Sequence, residues 1–173
     1  MANARIPAVI RVIDASNRLI GRISAWMTLA AVFVSAGNAI SRKAFSLSSN
    51  GMLELQWYLF ATVVMLAAAW TLQRNEHVRI DILSSRFPLR LRHWIDVTCH
   101  IVMLLPFTVV MVWLSYPYFA RSFAQNEVSL NAGGLLIWPM RAVVLAGFVA
   151  LALQAIATII RKIAEGPISE DAP

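Results

Sequence analysis

Four apolar stretches, roughly 23–40, 53–72, 95–119 and 135–160, leave little else in this chain of 173 residues. Each is near or above the ~18–20 apolar residues that a helix needs to cross the ~30 Å hydrocarbon layer of a bilayer. A water-soluble domain of this length has no place to bury four such runs. Composition points the same way: 59% of residues are hydrophobic and 14% charged, against about 25% charged in soluble domains. The expected fold is all-α, an integral membrane bundle of four transmembrane helices over residues 1–173, with short cytoplasmic tails at 1–22 and 163–173. Residues 1–22 are too long for the usual charged start of a signal peptide, and the apolar run after them exceeds ~7–15 residues, so the first run reads as an uncleaved span. Cys99 is alone and can form no intrachain disulfide.

The formal net charge of +6 reads as topology rather than nucleic-acid binding, because the connectors differ sharply in Lys and Arg. Arg5, Arg11, Arg18 and Arg22 precede the first span. Arg74, Arg79, Arg86, Arg90 and Arg92 lie between the second and third, and Arg161 and Lys162 follow the fourth. The other two connectors hold only Arg42, Lys43 and Arg121, with Arg141 just inside span four. Positive residues collect on the cytoplasmic side, which places both termini there.

Local signals refine the spans. Asp14, Ser16 and Asn17 offer capping oxygens ahead of span one. Its small residues, including Gly37, allow another helix to come close. Asn50-Gly51 marks a turn, after which Glu54, Gln56, Trp57 and Tyr58 form a polar-aromatic cluster suited to the outer interface. The connector 73–92 is the most polar segment, with Ser84-Ser85 and Pro88 as a helix start. Residues 86–95 interleave arginines with Phe87, Leu89, Leu91 and Trp94, the mixture of an interfacial helix end. Joined to span three, this makes a long helix of about 50 Å that must tilt or protrude, and Pro106 inside it predicts a kink. Residues 120–137 read as an outer loop, with Trp138 and Pro139 opening span four.

Ionisable groups deep in a membrane mark ion and substrate routes, and here the deep polar residues are few and uncharged: Thr28, Ser35, Asn38, Thr62, Gln154 and Thr158. Glu54, Asp96 and Arg141 stand near helix ends. The bundle therefore reads as a scaffold rather than a conduit. Haem ligation would fall to His77, His93 or His100. His93 and His100 share one helix face but lie about 10 Å apart, so they cannot be opposite axial ligands of one haem within a chain. No metal-spaced Cys/His set, phosphate loop or nucleophile constellation is present, and no enzymatic activity is expected.

Residues 73–83, Gln-Arg-Asn-Glu-His-Val-Arg-Ile-Asp-Ile-Leu, resemble the signature that follows the second span in the small permease subunit of tripartite ATP-independent periplasmic (TRAP) transporters. Two further stretches are similar to that family: 48–60, with Gly51, Glu54, Gln56 and Trp57, and 129–154, with Asn131, Gly133, Pro139 and Gln154. Gln56 stands where many members carry a second acidic residue.

The resemblance implies a bacterial inner-membrane, multi-pass subunit of a secondary importer of organic anions such as carboxylates. Its partners would be a large membrane subunit, which uses a sodium or proton gradient, and a periplasmic substrate-binding protein. The chain itself would hold no cofactor and bind no nucleic acid. Glu54, Gln56, Trp57, Arg74, His77, Arg79 and Asp81 are the candidates for contact with the large subunit or with lipid headgroups. The alternative from another class is a haem- or quinone-binding membrane anchor of a redox enzyme. Charge reversal at Asp81, which contributes nothing to positive-inside topology, is expected to lower the yield of complex with the large subunit. Unchanged yield and unchanged transport would count against an interface role.

Overall fold

The computed structural model describes residues 7–46, 49–74 and 87–166. Among them are four long helices: α1 (Ala8–Phe45), α2 (Asn50–Arg74), α3 (Leu89–Ala124) and α4 (Trp138–Glu165), each long and apolar enough to cross a membrane. Helix ends follow backbone chemistry. Pro7 and Pro88, both extended, precede α1 and α3, where a residue without an N–H forfeits no helical bond. Pro139 sits in the first turn of α4. Ser46 (φ 54°) ends α1 and Gly166 (φ 67°) ends α4.

α3 is continuous but not uniform. Leu89–Cys99 is α-helical, His100–Leu104 forms a π turn, and Leu105–Ala124 resumes the α-helix. The π turn lies just ahead of Pro106, whose ring would otherwise press on the carbonyl four residues back. The Leu105 N–H bonds to His100 O, one residue further back than in an α-helix. His100 adds its own tie, with Nδ1 donating to Asp96 O at 2.5 Å.

The order of packing is α1 on α2, α2 on α4, and α4 on α3, with a smaller α1–α4 contact. α4 is the most enclosed helix, with 39% of an 18-residue apolar stretch buried against 11% for that of α1. Its buried stripe, Gly147, Leu151, Gln154, Ala155 and Thr158, recurs at the spacing that keeps one helix face inward. Leu72, Leu151 and Ala155 form the apolar centre, with Ala68 and Leu104 against it.

Two glycines set how closely the helices approach. A Cβ on Gly21 would lie 2.4 Å from the Trp70 ring, and one on Gly147 would lie 2.9 Å from Met65 O. Gly37, the glycine that the sequence offers for close approach, has nothing within 4 Å of such a Cβ. The first helix also begins at Ala8, well before its apolar run, so Asp14, Ser16 and Asn17 lie inside it rather than capping it. Asp14 and Asn17 instead bond to other helices. Gly147→Ala is expected to lower the stability of the detergent-solubilised chain by about 1–3 kcal/mol through overpacking, while Gly37→Ala leaves it unchanged or slightly raised. Thermal melting of the two variants side by side checks this.

Candidate functional site

Polar side chains collect at the two ends of the bundle. At the end where α1 begins and α4 finishes, α1 presents Asp14, Asn17, Gly21 and Ser24 along one stripe. α4 presents Gln154, Thr158 and Arg161 along another. Gln154 is fully buried, and its amide is bonded on both sides. Asn17 Nδ2 donates to its Oε1 at 2.6 Å, and its Nε2 donates to Asp14 Oδ1 at 3.3 Å and Thr158 Oγ1 at 3.4 Å. The Arg161 guanidinium closes on the second Asp14 oxygen in an ion pair. α2 joins through Gln73 Nε2, which donates to Asp14 O at 3.3 Å. α3 joins through Asp96, paired with Lys162 at 2.8 Å. This inner clasp ties α1, α2 and α3 to one end of α4. Within a bilayer such interhelical bonds are worth roughly 0.6–2 kcal/mol each.

The opposite end holds an outer clasp. The loop between α3 and α4 folds back on itself: Val128 and Leu136 form an isolated antiparallel bridge, and Ile137 N donates to Glu127 O at 2.8 Å. Glu54, in the first turns of α2, is buried beneath this loop. Its carboxylate accepts from Ser129 Oγ, from Asn131 Nδ2 at 2.7 Å and from Leu135 N at 2.8 Å. Gly51 lets the loop settle, since a Cβ there would lie 2.9 Å from Gly133 O. Asn50 Nδ2 donates to Ala132 O at 3.3 Å. On the far side Arg141 grips Glu127 with both terminal nitrogens, at 2.6 and 2.8 Å, and stacks 3.8 Å from the Tyr118 ring centroid. A surface loop becomes a braced platform joined to α2, α3 and α4.

The residues singled out from the sequence are distributed over three places. Glu54 is the centre of the outer clasp. Gln56 and Trp57 line a groove of about 720 Å³ between α1 and α2, together with Ser35, Ala39 and Phe60. Trp57 is 71% exposed there. Arg74 ends α2 with its guanidinium 4.8 Å from the Trp70 ring centroid. His77, Arg79 and Asp81 lie outside the described residues. His93 meets Trp94 edge-on, and His100 is bonded within its own turn. Among the described residues no group of three His, Cys, Asp or Glu side chains is placed to hold a metal.

Sequence reasoning missed the inner clasp. The spacing Asp14, Asn17, Gly21, Ser24, Thr28 continues one helical face, and this is the signal that α1 extends downward with a polar inward stripe. The partners of Asp96 and Arg141 carry no such mark, since Lys162 is on another helix and Glu127 on a loop.

The fold is a multi-pass membrane bundle whose described ion pairs lie toward its two ends. A family model, described as the DctQ component of tripartite ATP-independent periplasmic transporters, matches residues 31–165. The chain belongs to that family, the small membrane component of TRAP transporters. No curated protein matches it. Asp14, Asn17, Gly21 and Ser24 precede the matched range, whereas Glu54, Arg141, Gln154 and Arg161 fall within it.

Asp14→Asn is expected to destabilise the bundle by about 1–3 kcal/mol, since it leaves the Arg161 guanidinium without its carboxylate. Asp14→Asn combined with Arg161→Gln should cost less than the sum of the two single changes. Unfolding of the four proteins in detergent supplies the cycle, and strict additivity would mean that the pair is not coupled.

Proposed function

We propose that this chain is the supporting membrane subunit of a bacterial inner-membrane importer of organic anions of the carboxylate class. It packs against the large permease subunit without forming the transport path, and its termini face the cytoplasm. Coupling to a sodium or proton gradient belongs to the large subunit. The observation that carries this reading is the placement of polar chemistry. The inner and outer clasps consume the charged side chains Asp14, Arg161, Asp96, Lys162, Glu54, Glu127 and Arg141 in joining helices and loop. Family membership supports the same assignment.

Within that reading the two ends have different work. The platform pinned by Glu54 faces the periplasm and contacts the docked binding protein. The groove bearing Gln56, Trp57 and Phe60 meets the large subunit. Arg74, His77, Arg79 and Asp81 meet the large subunit or lipid headgroups at the cytoplasmic end.

Extraction of the tagged full chain in mild detergent is expected to bring down a much larger multi-span membrane subunit in stoichiometric amount, with no chromophore. Glu54→Ala should leave that pair intact yet slow uptake several-fold in reconstituted vesicles supplied with the binding protein. Recovery of the chain alone as a folded species, or with a haem-bearing partner showing Soret absorbance, would overturn the assignment.

A further inference from the structure

One face of α1 is used by neither clasp. At 3.6 residues per turn, positions 11, 18 and 22 fall within about 40° of one another. Arg11, Arg18 and Arg22 on that face are all exposed. The inward stripe of Asp14, Asn17, Gly21 and Ser24 lies roughly a quarter-turn away. Asp14 is three residues from Arg11 and four from Arg18, a spacing that permits ion pairing, but its carboxylate is turned to Arg161 and Gln154. Among the described residues no acidic side chain is paired with Arg11, Arg18 or Arg22.

The depth of these arginines is set by Gly21, which abuts Trp70 about one turn before the end of α2 at Arg74. Arg22 therefore stands level with the last turn of a membrane-spanning helix, at the rim of the hydrocarbon. Above it the same face turns apolar, with Leu29, Phe33 and Ile40 exposed along the line of the arginines. Leu19 and Trp26 are exposed beside it. From Arg22 to Phe33 the helix rises about 16 Å, close to half of the ~30 Å hydrocarbon layer.

We infer that this face of α1 is a binding site for an anionic phospholipid. The lipid phosphate lies between the guanidinium groups of Arg18 and Arg22, one helical turn apart, with Arg11 reinforcing the charge, and an acyl chain runs along Trp26, Leu29 and Phe33. The chemistry favours a lipid over an acidic patch on a protein partner. Charge followed directly by an apolar strip of one-leaflet length, on one helix face, matches a phospholipid from head to tail. Guanidinium forks at the hydrocarbon rim are well suited to phosphate oxygens, and basic residues at this depth gain from anionic headgroups. The site is independent of what the transporter carries.

The test is native mass spectrometry of the purified full chain titrated with phosphatidylglycerol or phosphatidylcholine. The wild type is expected to retain phosphatidylglycerol preferentially, and Arg18→Gln with Arg22→Gln should reduce that retention by roughly fivefold per arginine. Arg42→Gln with Lys43→Gln, at the other end of α1, should keep the preference. If the double variant does not fold, the single changes Arg18→Gln and Arg22→Gln carry the comparison, and Arg18→Lys with Arg22→Lys should retain most of the preference. Excess inorganic phosphate should leave the lipid bound. Equal retention of the two lipids, an unchanged preference in the glutamine variants, or displacement of the lipid by phosphate would overturn the site. So would loss of the large subunit from the glutamine variants with no change in bound lipid, which would assign the arginines to a protein partner.

Discussion

The fully buried amide of Gln154 is the point on which the rest of the bundle depends. In a bilayer, two apolar helices gain little from meeting one another, because lipid tails are as apolar as leucine. Association must come from close packing and from polar groups whose alternative is hydrocarbon. Gln154 combines close packing with polar bonds where the spans end, its amide buried among the helices. It faces Asn17, Asp14 and Thr158, and it shares its helix face with Gly147 and Ala155, where α4 is closely enclosed by its neighbours. α4 becomes the axis against which the other helices are placed, and the ion pairs of Arg161 and Lys162 tie α1 and α3 to its end.

The two clasps solve different problems. The inner one fixes helices to helices by long-range side-chain bonds. The outer one converts a loop into a rigid surface by feeding two side-chain donors and one backbone N–H to a single carboxylate. Arg141 then locks the loop's first residues to the aromatic end of α3. Between these ends the bundle is apolar with scattered hydroxyls, several of which, such as Thr62 and Thr108, donate back to their own helix. Much of α1 remains open, with Trp26, Phe33 and Ile40 exposed, surface that a multi-component assembly or the surrounding lipid can cover.

Several features are legible in the chain alone. Apolar length announces the four spans, because the hydrocarbon thickness is a fixed ruler. Pro139 marks the start of α4 correctly, since proline's missing donor has few tolerable positions, whereas Pro88 directly precedes α3 instead of opening its first turn, and the Ser84-Ser85 cap expected before it lies outside the described residues. The run 73–83 and the residues around Glu54 and Asn131 point to the family that the match over 31–165 assigns. The start of α1 is not legible from hydropathy. Asp14 and Asn17 carry the same chemistry whether they cap a helix or bond to a neighbouring one, and local sequence does not distinguish the two. Gly37 misleads for a related reason: a small residue permits close approach, and only the neighbouring helix decides whether approach occurs.

The sequence by itself determined the number of spans, the position of their apolar centres and the concentration of charge toward the helix ends. Each follows from local chemistry or from the one-dimensional match between apolar length and bilayer thickness. Only the tertiary structure decided that α4 is the axis, that Glu54 holds the loop from Ser129 to Leu135, and that Asp14 pairs with Arg161 far along the chain. Helix faces turned to lipid and to protein have the same apolar composition, so partner choice is set by the few polar groups and glycines that meet in space. Those meetings exist only once the helices are side by side.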